Sequence, residues 1–102
     1  MASTQEYLHF ILEQIGLPDV TWRAMMGEFI LYYRGKVFGG IYDNRLLIKP
    51  VRASSALLPD APRELPYPGA GAMLLVEEVE NGALLRQLLE AMEPELPASK
   101  KR

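Results

Sequence analysis

VTWRAMMGEFILYYRGKVFGGIYDNRLLIK, running from Val20 to Lys49, is the stretch on which the fold turns. Aromatic and branched residues dominate it, and they are broken at Gly27, at Arg34-Gly35 and at Asp43-Asn44, each suited to a tight turn between antiparallel strands. The pattern predicts four strands at residues 20–26, 28–33, 36–42 and 45–49, the last stopped by Pro50.

On the amino-terminal side, Ser3 and Glu6 have the Ser-x-x-Glu spacing of a capping box, and Leu8, Ile11, Leu12 and Ile15 follow as one apolar helical stripe ended by Gly16 and Pro18. On the carboxy-terminal side, Val51 to Leu58 is long enough for two helical turns, with Ala53, Ala56, Leu57 and Leu58 as contacts. Pro59, Pro62, Pro66 and Pro68, followed by Gly69 and Gly71, make 59–71 a connecting loop without regular structure. Met73 to Val76 reads as a buried fifth strand, and Asn81 caps a last helix whose face is Leu84, Leu85, Leu88, Leu89 and Met92, ended by Pro94. The expectation is an α+β class: one domain over residues 1–96, an antiparallel sheet of about five strands, helices at the start, middle and end, and a mobile basic tail at 97–102.

The 102 residues suffice for one core, and about half of them are apolar, as in ordinary globular proteins. No cysteine occurs, which removes disulfides, thiolate ligands and a Cys nucleophile and fits a reducing compartment, so a cytoplasmic location is expected. The apolar runs fall far short of a bilayer span, and no membrane association is expected. The net charge of −2 is uneven: residues 20–58 carry +4, whereas 59–99 carry −6. A mildly basic centre in an acidic body argues against tight autonomous binding of duplex DNA, because Lys and Arg on phosphates supply most non-specific affinity.

Regular two-residue hairpins would set Tyr33 opposite Lys36 and Tyr42 opposite Arg45, which assigns every side chain to a face. One face then carries Ile30, Tyr32, Val37, Gly39, Ile41, Leu46 and Ile48; it is wholly apolar, with glycine where a helix can come close, and should meet the helices. The other carries Phe29, Leu31, Tyr33, Lys36, Phe38, Gly40, Tyr42, Arg45, Leu47 and Lys49. Three uses fit this aromatic-basic face: a core surface covered by the rest of the chain, a protein interface (most simply in a homodimer), or a platform on which single-stranded nucleic acid stacks over Tyr33, Phe38 and Tyr42.

Chemistry-bearing patterns are few. His9 is the only histidine and falls on the polar side of the first helix. Ser54-Ser55 have no general base at useful spacing, Gly69-Ala70-Gly71 lacks the Lys-Ser/Thr ending of a phosphate loop, and Glu77, Glu78 and Glu80 read as a solvated acidic edge. Met25-Met26 reads as core packing between strands. No catalytic residue, metal site or cofactor is expected, and neither metal nor nucleotide should be needed for folding.

The stretch Trp22 to Lys49 closely resembles the amino-terminal domain of the TfoX/Sxy competence regulators, with an Arg-x-Met turn at Arg23-Ala24-Met25, an aromatic-aliphatic strand, a Gly turn, a strand containing Phe38 and a closing Leu47-Ile48-Lys49. Tyr67-Pro68-Gly69 matches a further feature of that family, and the resemblance extends over about residues 3–95. Met26 stands where an aromatic is usual and Glu28 where a second glycine is usual. The resemblance implies an α-β(n)-α-β-α fold related in shape to type III secretion chaperones. It also implies a bacterial regulator acting through protein partners in transcription, its full-length members cooperating with the cyclic-AMP receptor protein. The expected function is thus a non-catalytic regulatory or adaptor domain, with a nucleic-acid-binding module and an enzyme as the alternatives.

Overall fold

The computed structural model describes residues 3–97. Of the expected basic tail only Pro97 falls inside that range; the remainder lies outside the described residues. The chain runs α1 (Gln5–Ile15), β1 (Val20–Met25), β2 (Glu28–Tyr33), β3 (Lys36–Ile41), β4 (Leu46–Ile48), α2 (Arg52–Leu57), β5 (Arg63–Glu64), β6 (Met73–Leu75) and α3 (Gly82–Met92), followed by a 3₁₀ turn at Glu93–Glu95. This is the α+β order expected, with six strands instead of five in the order β1-β2-β3-β4-β6-β5. The additional strand is β5, which pairs with β6 antiparallel inside the proline-rich segment. Its two residues lie between Pro62 and Pro66, where the backbone keeps its donors, and Pro62 contributes its carbonyl to Leu75 N at 2.9 Å.

The cap of α1 is Thr4, one residue later than the spacing indicates: its hydroxyl accepts from Tyr7 N at 3.1 Å. Ser3 is used elsewhere, donating to Glu28 Oε1 at 2.6 Å and accepting from Asn44 N at 2.9 Å, so it ties the chain start to two hairpin ends. Gly16 closes the helix at φ +64°, with its N–H on Leu12 O. Leu8, Ile11 and Ile15 are buried, and the opposite side carries exposed His9.

The three hairpins that join β1 to β4 turn on two residues in the left-handed region: Met26-Gly27 at φ 54° and 84°, Arg34-Gly35 at 54° and 79°, Asp43-Asn44 at 55° and 54°. That is the signature of the type I′ turn, whose twist matches that of the strands. Tyr33 stands opposite Lys36 as expected, and Tyr42 and Arg45 exchange both backbone bonds at 3.0 Å.

Between them the regular register fails. Tyr32 pairs with Val37 but Leu31 pairs with Gly39, leaving Phe38 as an extra residue in β3. The bulge moves half of each expected face to the other side. Phe29, Leu31 and Tyr33 now share a face with Ile41, Leu46, Ile48 and Leu74, and this is the face that meets the helices. Ile30, Tyr32 and Val37, which regular pairing assigns to the core, are only half-buried on the opposite face. Gly39 is required by a strand and not by a helix: a Cβ there would meet the Leu47 carbonyl and lie 2.8 Å from Ile48 Cα.

The helices complete the core. Ser54 is fully buried, donates to Lys49 O at 2.7 Å and accepts from Val51 N at 3.0 Å, so its hydroxyl shapes the corner after β4. Asn81 Oδ1 accepts from Leu84 N at 3.1 Å to start α3, which buries Leu85, Leu88, Leu89 and Met92. Arg86 reaches the last carbonyls of α1, 3.2 Å to Ile15 O, and so joins the two long helices. Among the described residues no helix is long and apolar enough to cross a membrane.

Candidate functional site

The aromatic-basic face expected from sequence, with its candidate interface residues Phe29, Leu31, Tyr33, Lys36, Phe38, Tyr42, Arg45, Leu47 and Lys49, is divided by the bulge. Phe29, Leu31, Tyr33 and Phe38 are core residues beneath the helices, none more than 5% exposed. Lys36 is drawn to the end of α3, where its ammonium lies 2.9 Å from Glu93 Oε2 and 3.2 Å from Glu93 O. Tyr42, Arg45 and Leu47 belong to the other face, and Lys49 is half-buried at the corner into α2. Neither Tyr33 nor Phe38 offers a ring to a stacked base, and the guanidinium of Arg45 is already paired with Glu64. The aromatic-basic platform needed for single-stranded nucleic acid is therefore not assembled.

What the outer face does assemble was not anticipated. Glycine at position 40 leaves room for the Tyr42 ring to lie over the backbone; a Cβ there would be 2.6 Å from Tyr42 Cε2. Arg45 donates to Tyr42 O at 3.0 Å, pairs with the Glu64 carboxylate, and reaches toward Leu65 O at 3.5 Å. One side chain thereby holds the segment after β5 across the sheet. Tyr67 comes down beside Tyr42, with the ring centroids 6.2 Å apart.

The result is a hollow of 420 Å³ lined by Met25, Met26, Glu28, Tyr42, Pro66 and Tyr67. Its rim is apolar and open to water: Met26 is 96% exposed, Tyr67 53%, neighbouring Leu65 49% and Met25 38%. At its floor Glu28 accepts from Ser3 Oγ and from Asp43 N at 3.1 Å, which fixes the carboxylate. The Tyr42 phenol is held above its usual acidity range, first by burial and then by the neighbouring Tyr67 and Glu28, so it stays a neutral hydroxyl at physiological pH.

Met25-Met26 is therefore not core packing. The signal was present in the sequence: in a two-residue loop Met26-Gly27, Met26 has to sit at the hairpin tip, where no core exists. The contribution of Leu65 to Tyr67 had no such signal, because it depends on Arg45 reaching a segment about twenty residues away. Among the described residues no group of three or more His, Cys, Asp or Glu side chains is placed to hold a metal ion.

The chain is similar along its whole length to an uncharacterized 12.7 kDa protein in the trpE 5′ region of Spirochaeta aurantia: 35% identical over 105 residues, taking in 100% of this chain and 90% of that protein. No protein-family model matches the chain, and no solved structure matches it.

Proposed function

We propose that this chain, which belongs to the family of the uncharacterized 12.7 kDa protein of the Spirochaeta aurantia trpE 5′ region, is a non-catalytic adaptor or regulatory domain that binds a protein partner at the outer hollow. The observation that carries this reading is the exposed apolar lining of Met25, Met26 and Tyr67 around that hollow, with exposed Leu65 next to it in the chain segment that supplies Pro66 and Tyr67. An exposed apolar cluster bordered by fixed polar groups is the composition of an interface centre and its rim. Methionine suits such a role because its unbranched, polarizable side chain adapts to a partner's shape. The likeness of Trp22–Lys49 to the TfoX/Sxy amino-terminal domain supports the regulatory half of the proposal, with the transcription machinery as the partner class.

The test is site-specific photo-crosslinking in the native cell, with the crosslinker at position 26 and, as control, at the exposed position 9 on α1. A discrete adduct from position 26 that is lost on Tyr67→Ala is expected. Recovery of RNA polymerase or a transcription factor in the adduct supports regulation. Equal, diffuse labelling from both positions would remove the hollow as a binding site.

A further inference from the structure

The two edges of the sheet are built differently. At one edge, β5 has two residues, both charged, set between Pro62 and Pro66; this is how proteins keep an edge from pairing with another chain. At the other edge, β1 has six residues, no proline, no bulge and one charge, Arg23. Thr21 to Met25 are exposed, and among the described residues no strand pairs with the outer edge of β1.

The backbone of β1 has a definite outward pattern. Arg34 N donates to Asp19 O at 3.0 Å, and bonded pairs alternate along an antiparallel ladder, so Thr21, Arg23 and Met25 turn their amides toward β2. The N–H and C=O groups of Val20, Trp22 and Ala24 are left pointing off the sheet.

From this edge we infer that β1 pairs antiparallel with β1 of a second copy, on a two-fold axis at Trp22, joining the two sheets into one. The side chains select the register. Centred on Trp22, the outward groups of Val20, Trp22 and Ala24 meet those of Ala24, Trp22 and Val20 of the partner, while Arg23 stands opposite the partner's Thr21. Moving the axis to Arg23 sets two guanidinium groups directly against each other, which is unfavourable. Moving it to Thr21 sets Ala24 against the partner's Pro18, which has no N–H to give.

In the Trp22-centred pair both helix layers fall on the same side of the joined sheet. Trp22, now 39% exposed and edge-on to Phe29 at 5.5 Å, gains a second indole across the axis. Met25 at the end of β1 also lines the outer hollow, but the pairing uses the outward backbone of Val20, Trp22 and Ala24 and does not depend on what the hollow binds.

Sedimentation equilibrium over a range of concentrations, with far-UV circular dichroism beside it, tests the pairing. The wild type should dimerise reversibly, and the emission of Trp22, the single tryptophan, should change over the same concentrations. Ala24→Pro removes an outward N–H that the native ladder does not use, so the variant should be monomeric with an unchanged spectrum. Two further variants read the register and leave the backbone alone. Thr21→Arg, facing Arg23 twice across the axis, should weaken the dimer about 2- to 30-fold, and Thr21→Glu should tighten it by a similar factor. A wild type that stays monomeric to about 1 mM overturns the inference. So does a dimer indifferent to both charges at position 21, whether or not Ala24→Pro folds.

Discussion

Met26 holds a conformation that its side chain does not favour, and replacing it measures how that strain is used. At φ 54° it occupies the first central position of a type I′ turn, where asparagine followed by glycine is the preferred pair. The left-handed region costs a non-glycine residue roughly 1–2 kcal/mol, less for asparagine, whose short polar side chain bonds locally. Because the side chain is 96% exposed, its removal forfeits almost no packing. Met26→Asn should therefore stabilise the domain by about 1 kcal/mol, which for a chain of this size raises Tm by roughly 4–8 °C.

The assay is thermal and denaturant unfolding of the wild type beside Met26→Asn and Met26→Ala. Alanine removes the side chain but keeps the strained backbone, and should leave stability within about 0.5 kcal/mol of wild type. If Met26→Asn melts at or below the wild-type temperature, the turn is not where stability is lost and the reasoning fails. If Met26→Ala costs more than about 1 kcal/mol, the methionine is packing within its own chain and cannot be held open for a partner. Strain kept at an exposed apolar tip is one of the ways in which binding sites depart from their most stable sequence.

Two other outcomes follow from the sheet. Gly39→Ala should destabilise by about 3 kcal/mol in urea unfolding, since the new methyl meets the backbone of β4, which cannot move without breaking the pairing of Gly39 with Ile48; a loss under about 1 kcal/mol would mean that the strands are further apart than described. Burial raises the pKa of the Tyr42 and Tyr7 phenols above the ordinary 10.0, so folding favours their protonated forms. Stability should be flat with respect to these groups below pH 10 and fall above it, where the unfolded chain sheds the proton first; Tyr42→Phe should make that decline shallower, and an equal slope in both proteins would count against the burial.

What could be read from the sequence was whatever is decided locally. The apolar stripe of α1, the Asn81 cap of α3 and the hairpin turns at Arg34-Gly35 and Asp43-Asn44 each depend on residues a few positions apart, and each formed where its pattern placed it. Thr4 took the cap from Ser3 because two hydroxyls stood side by side and only the tertiary fold gave Ser3 a better use, at Glu28 and Asn44. Strand β5 could not be read from two residues between prolines, since its ladder comes from β6.

The candidate site was misread for one physical reason. Alternation along β2 is regular, and Phe29, Leu31 and Tyr33 do share a face as the period requires. The error enters at Phe38, where one unpaired residue reverses the phase of β3 relative to β2. Gly39-Gly40 was the available sign, because adjacent glycines inside a strand weaken the ladder and often mark a bulge or a close approach. Both descriptions apply here: Gly39 accommodates the backbone of β4, and Gly40 accommodates the Tyr42 ring. The same two residues thus bury the aromatics of β2 beneath the helices and seat Tyr42 on the outer face, so the hollow beside Met26 exists because β3 slips by one residue.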